Sequence, residues 1–191
     1  MQLSYKDYIK YNSYNIYIAL NSICYYCIWF LCLFYVIKHN FPYYLQAALI
    51  LNIIQYSIYF KYTKQRLKFN IFIILVTVIA IVIDSTFYSM RLVLFNRNYF
   101  HYMSPPWVIL MWNNFAITFY ITSTFFFNKP LLLSILALIF VPLAYYYIIF
   151  FNAMYIKSYY ILFLYGVIWS LVLPTICYID KVFFDNIKAS K

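Results

Sequence analysis

Six apolar stretches, joined by connectors of a few residues, leave this chain few folds to choose from. They lie near residues 14–37, 42–60, 69–95, 105–127, 131–151 and 158–180. Each is close to the ~20 residues that a helix needs to cross ~30 Å of hydrocarbon. Inside lipid every backbone N–H and C=O must be paired within the spanning element, so these stretches read as helices. The expectation is an all-α integral membrane protein, a bundle of about six transmembrane helices with short loops. Lys38-His39-Asn40 is so short a connector that the first two spans form a tight hairpin. Residues 1–13 then form a cytoplasmic or interfacial segment, 14–180 a single transmembrane domain, and 181–191 a basic cytoplasmic tail.

Only 9% of the 191 residues are charged, against roughly 25% in soluble domains. Lipid is therefore the expected solvent. The net charge of +10 comes from cations in short stretches between apolar runs. Such cations fix membrane topology and speak against a nucleic-acid partner. Lys6, Lys10, Lys61, Lys64, Arg66, Lys68, Lys129, Lys181, Lys188 and Lys191 fall on one side, and Lys38, Arg91, Arg97 and Lys157 on the other. This bias puts both termini in the cytoplasm and both His39 and His101 on the outer side. Tyr5, Tyr8, Tyr11, Tyr14 and Tyr17 recur every third residue. They read as an interfacial tyrosine belt on a short helix leading into the first span.

Several chemistries are excluded by what is missing. Gly166 is the sole glycine, so no Walker loop, dinucleotide fingerprint or nucleophile elbow can form. Cys24 and Cys27 make a C-x-x-C, but inside an apolar helix the pair reads as packing. No cysteine or histidine pairs complete a metal site. There is no intramembrane lysine for a Schiff base, no histidine pair for haem, and no H-E-x-x-H or Ser–His–Asp set. Neither a metal nor a cofactor is expected.

The stretch from Asp84 to Trp112 concentrates the chemistry. Asp84 is the one acid deep within an apolar run, and an intramembrane carboxylate usually faces a partner, a cavity or a substrate. At ~1.5 Å per residue, Asp84 lies ~22 Å from the cytoplasmic edge and Trp112 ~8 Å below the outer edge, which is one layer. Tyr145 and Trp29 fall at the same level, with Asn113 and Asn114 just below. Arg91 shares the face of Asp84 but lies ~10 Å nearer the outer surface. If Arg91 reaches back, Asp84 belongs to a structural ion pair. If it does not, a carboxyl in a dry pocket is available for general-acid or proton-carrying chemistry, with His101 or Tyr145 assisting. Asp84, Arg91, Trp112, Asn113, Tyr145 and His101 are the candidate polar site. Pro142 and Pro174, inside the fifth and sixth spans, should free the carbonyls of Leu138 and Ser170 and kink their helices.

The order Asp84-Ser85, Pro105-Pro106-Trp107, Trp112, Phe115 and Pro142-Leu143-Ala144-Tyr145 resembles the bacterial inner-membrane family catalogued as domain-of-unknown-function 2878. The resemblance covers roughly residues 15–180, and Asn21 and Trp29 correspond to the family's early Asn and Trp. The family has glycines around its Pro-Leu-x-Tyr motif, where this chain has Phe140, Val141, Ile148 and Asn152. Its members are often encoded beside enzymes that modify membrane fatty acids. The resemblance thus implies a multi-pass protein of the bacterial inner membrane with lipid-related work. It also implies membrane lipid, and a second membrane or lipid-modifying protein, as partners.

Four functions follow, in this order of preference. The first is a protein that holds lipid or acyl chains near Asp84, Trp112, Asn113 and Tyr145, or assists a lipid-modifying enzyme. The others are a structural subunit of a membrane assembly, a membrane-embedded enzyme using Asp84, and a small transporter. What lies within hydrogen-bond reach of Asp84 separates them.

Overall fold

The fold is taken from a computed structural model, which describes residues 5–38, 42–63 and 65–189; for 5–18, 62 and 183–189 it describes backbone only. Every apolar stretch forms a helix: α1 (Tyr5–Ile37), α2 (Tyr43–Tyr62), α3 (Arg66–Ser89), α4 (Pro106–Phe126), α5 (Pro130–Phe150) and α6 (Tyr160–Ala189). Pro106 and Pro130 start α4 and α5, where proline's missing N–H costs nothing. Pro142 and Pro174 lie inside α5 and α6, which continue through them. The backbone of residues 5–18 continues α1 as one helix. The side chains of the N-terminal tyrosine stripe, and His39, lie outside the described residues.

Four helices are long and apolar enough to cross a membrane: Ala19–Ile37 of α1, α3, α5 and Tyr160–Val182 of α6. The more polar α2 and α4 fall short, for a reason seen in the packing. Helix α4 touches all five other helices. Its solvent is protein: Asn113 bonds Thr77 of α3 and Asn114 the Tyr25 carbonyl of α1, while Thr118 and Ser123 bond carbonyls of α4 itself. The sequential pairs α1–α2, α3–α4 and α5–α6 make the most extensive contacts. Polar side chains then stitch the pairs together. Gln55 Nε2 donates to Asn21 Oδ1 and to Thr118 Oγ1, and Asn114 Nδ2 donates to the Tyr25 carbonyl.

The third apolar stretch was expected to remain helical to residue 95. It stops at Ser89. Arg91 takes the left-handed conformation (φ 54°), its N–H bonds the Tyr88 carbonyl, and the Leu92 N–H bonds that of Phe87. This is a Schellman cap, with arginine where glycine is usual. Helix α5 ends in the same way. Asn152 (φ 54°) bonds Ile149, and Ala153 bonds Ile148. The chain leaves each cap as a short strand, β1 (Val93–Phe95) and β2 (Met154–Ile156). The two pair antiparallel, Val93 opposite Ile156 and Phe95 opposite Met154. The expected all-helical bundle therefore carries a small two-stranded ladder across one end. A four-residue apolar run reads equally as helix or strand by pattern alone.

A second departure concerns charge. Asp84 is not the only buried acid among the described residues. Asp180 of α6 is 4% exposed and pairs with Lys68 of α3 at 3.1 Å. This ion pair closes the end of the bundle away from the ladder.

Candidate functional site

Asp84 points from α3 into the junction of α4, α5 and α6 and is 0% exposed. Trp112 of α4 donates its indole N–H to Oδ2 at 2.7 Å. Tyr145 of α5 donates its hydroxyl to Oδ1. Tyr165 of α6 brings a second hydroxyl close to the carboxyl group, without a formed hydrogen bond. The aromatic groups support one another. Tyr145 stacks on Tyr165 at 4.0 Å, Tyr165 on Phe87 at 4.4 Å, and Trp112 on Trp169 at 4.3 Å. One carboxyl group thus ties α3 to α4 and α5 through two aromatic donors, and α6 joins by ring stacking. A carboxyl oxygen buried here without donors would carry a desolvation cost of several kcal/mol.

The equal level of Asp84 and Tyr145 has a local cause. Each lies seven residues, about two helical turns, before the left-handed cap of its own helix, at Arg91 and Asn152 respectively. The antiparallel ladder ties the two caps together, one at each of its ends. Asn96 reinforces the arrangement. Its N–H bonds the Ala153 carbonyl at 3.0 Å, its side chain donates to the Asn152 carbonyl, and its own carbonyl accepts the Trp107 indole N–H at 3.0 Å. Ser85, next to Asp84, accepts the Ser104 N–H at 3.0 Å. Asp84 and Ser85 therefore grip both ends of the segment from Ser104 to Trp112.

Pro142 and Gly166 explain how α5 comes so close to α6. Proline cannot donate to the Leu138 carbonyl. At that point α6 presents Gly166. A Cβ on Gly166 would lie 2.8 Å from the Leu138 carbonyl oxygen and 2.8 Å from Pro142 Cγ. The one glycine of the chain sits where two helix backbones approach, as small residues do in packed membrane helices. It also places Tyr165 beside Tyr145.

The six candidate residues separate into three groups. Asp84, Trp112 and Tyr145 are in direct contact. Asn113 lies along the α3–α4 seam, with Nδ2 donating to Thr77 Oγ1 at 3.4 Å. Arg91 and His101 are exposed in the segment between α3 and α4. Arg91 does not reach down to Asp84, because the cap turns it outward. Tyr165, Trp169, Gly166 and Asp180 were not singled out as site residues from the sequence. Tyr165 and Trp169 are four residues apart, hence on one helical face, which was the available signal.

Trp112 and Tyr145 also form part of the wall of a cavity of about 170 Å³. It lies over α4, between α1 and α5. Tyr25 and Trp29 come from α1, Val108, Met111 and Phe115 from α4, Phe140, Val141, Ala144 and Ile148 from α5, and Phe95 from β1. The lining is almost wholly apolar and aromatic. Asp84 is not part of it; the carboxyl group stands behind the two side chains that it positions. Among the described residues no group of three or more His, Cys, Asp or Glu is placed to hold a metal ion.

The family model for proteins of unknown function DUF2878 matches residues 18–175. The chain belongs to the DUF2878 family. No curated protein and no solved structure matches it. The residues on which the resemblance rested are thus joined in space. Asp84 meets Trp112 and Tyr145, Ser85 holds the segment entering Pro105-Pro106, and Pro142 packs on Gly166.

Proposed function

We propose that this DUF2878 chain is a six-span protein of the bacterial inner membrane that holds the hydrocarbon of a membrane lipid in the cavity between α1, α4 and α5. The observation that carries the reading is the cavity itself: apolar, aromatic-lined, and walled by two residues fixed through a buried carboxyl group. Ligand pockets combine such lining with a few placed polar groups. Trp112 and Tyr145 spend their polar hydrogens on Asp84, so neither offers a donor to the cavity that they line. That arrangement suits a methylene chain better than a polar metabolite. It also supports a positioning role for Asp84 over acid–base chemistry on a bound molecule.

Six spans are favoured by the inverted pattern of α2, and the bias of Lys and Arg between the two sides favours cytoplasmic termini. Asn52 and Gln55 are 6% and 3% exposed, whereas Leu49, Ile50, Ile53 and Ile54 are 47–58% exposed. Water would reverse that order; lipid stabilises it. The partner in this reading is an enzyme that modifies membrane acyl chains, with the cavity presenting or receiving a tail. Native mass spectrometry of the purified protein tests the binding. Lipid is expected to be retained by the wild type and lost on Ala144→Trp, which fills the cavity. No retained lipid, or retention indifferent to Ala144→Trp, would refute it. For the accessory role, deletion in the host should shift the ratio of modified to unmodified acyl chains. An unchanged profile would remove it.

A further inference from the structure

We infer that Arg97 binds the phosphate of an anionic phospholipid whose tail occupies the α1–α4–α5 cavity. This rests on the cavity reading above and adds the head-group chemistry. Phe95 lines the cavity and Arg97 follows two residues later. The guanidinium lies over the Tyr35 ring of α1, 4.7 Å from its centre, and Nη2 donates to the Lys38 carbonyl at 3.4 Å. Trp29, also on the cavity wall, is six residues before Tyr35 on α1, ~9 Å along the helix. Arg97 thus joins the segment that follows Phe95 to the helix that carries Trp29.

Three observations make this arginine a binding group rather than a solvated one. First, its backbone is left-handed, φ 53°, a conformation that L side chains resist and glycine does not. Asn96, held by Ala153, Asn152 and Trp107, imposes it. A strained residue held firmly by its neighbours points to function. Second, the side chain is half-buried and directed onto α1, and a guanidinium has five donors, of which the Lys38 carbonyl takes one. Third, its counter-charge is missing. The connectors at this end carry Lys38, Arg91, Arg97 and Lys157, while the chain's acids are Asp7, Asp84, Asp180 and Asp185. Among the described residues no carboxylate pairs with Arg97. A guanidinium fork matches a phosphate's oxygens in two parallel hydrogen bonds. A phospholipid supplies that anion at the level where its own tail would enter the cavity.

The test uses the full chain, exchanged into equal amounts of phosphatidylglycerol and phosphatidylcholine with identical acyl chains and examined by native mass spectrometry. The wild type should retain phosphatidylglycerol about fivefold over phosphatidylcholine, the scale of one basic contact with an anionic lipid. Arg97→Gly removes the guanidinium and relaxes the backbone. It should melt no lower than wild type and lose the preference. Arg97→Lys, which keeps charge without the fork, should fall between. Equal retention of both lipids by the wild type, or an unchanged preference in Arg97→Gly, would overturn the assignment, as would oleate displacing phosphatidylglycerol irrespective of Arg97. Ala144→Trp separates the two levels. If it removes both lipids while the preference ignores Arg97, only the head-group inference fails. If it leaves both lipids bound, the cavity reading beneath it fails.

Discussion

Asp84 accepts the Trp112 indole N–H and the Tyr145 hydroxyl. Asp84→Asn keeps one acceptor oxygen and sets an amide N–H against the other donor. Asp84→Ala leaves both donors unpaired. Each buried donor left unpaired costs ~1–3 kcal/mol, so thermal melting in detergent should rank wild type above Asn and Asn above Ala. Equal melting of Asn and Ala would show that the two hydrogen bonds contribute nothing separable. Gly166 makes a second residue-scale prediction. Alanine would gain ~1 kcal/mol of helix propensity. It would also push a methyl group to 2.8 Å from a backbone oxygen that cannot rotate away. Overpacking of this kind costs ~1–3 kcal/mol, so Gly166→Ala should lower the melting temperature and disturb the stacking of Tyr145 on Tyr165. An unchanged or raised melting point would mean that α5 and α6 yield freely.

Among the elements, the ladder does more than its six residues suggest. It ties the α3 cap to the α5 cap, one at each of its ends, and so holds together the helices that carry Asp84 and Tyr145. Leu94 and Tyr155 are opposite one another in the register and are 53% and 51% exposed. Cysteines at these two positions should cross-link under mild oxidation, in a background lacking the four native cysteines. Failure to cross-link while the helices stay folded would contradict the pairing. The helices themselves were legible because apolar length is set by bilayer thickness. The ladder was not. Leu92, Val93, Leu94 and Phe95 simply extend an apolar run, and their strand partner lies some sixty residues away. The turn that ends α3 was hidden for a related reason, since its left-handed residue is Arg91 in place of glycine.

For the whole molecule, the proposed topology makes a prediction of its own. Reporters fused to the two termini should fall on the same, cytoplasmic side. Tyr102, 80% exposed beyond the ladder, should as cysteine be labelled from the opposite side by an impermeant maleimide. Labelling from the cytoplasmic side would reverse or break the six-span arrangement. In that topology the polar α2 and α4 would cross the membrane with their amides covered by neighbouring helices. Gln55 is paired with Asn21 and Thr118, and Asn114 with the Tyr25 carbonyl, so their amides are not offered to lipid.

Helix number, and the shared level of Asp84, Trp112 and Tyr145, can be read from the chain by itself. Both depend only on apolar run length and a fixed rise per residue. Tertiary structure alone decided the rest. It placed α4 at the centre, set Gly166 on the gap left by Pro142, joined Asp180 to Lys68, and turned Arg91 away from Asp84. The physical reason is that lipid and protein interior are both apolar. A helix in such surroundings shows in its sequence how long it is, but only weakly which face it buries. Its neighbours are chosen by small residues, single hydrogen bonds and caps, and these become visible only when the helices are side by side.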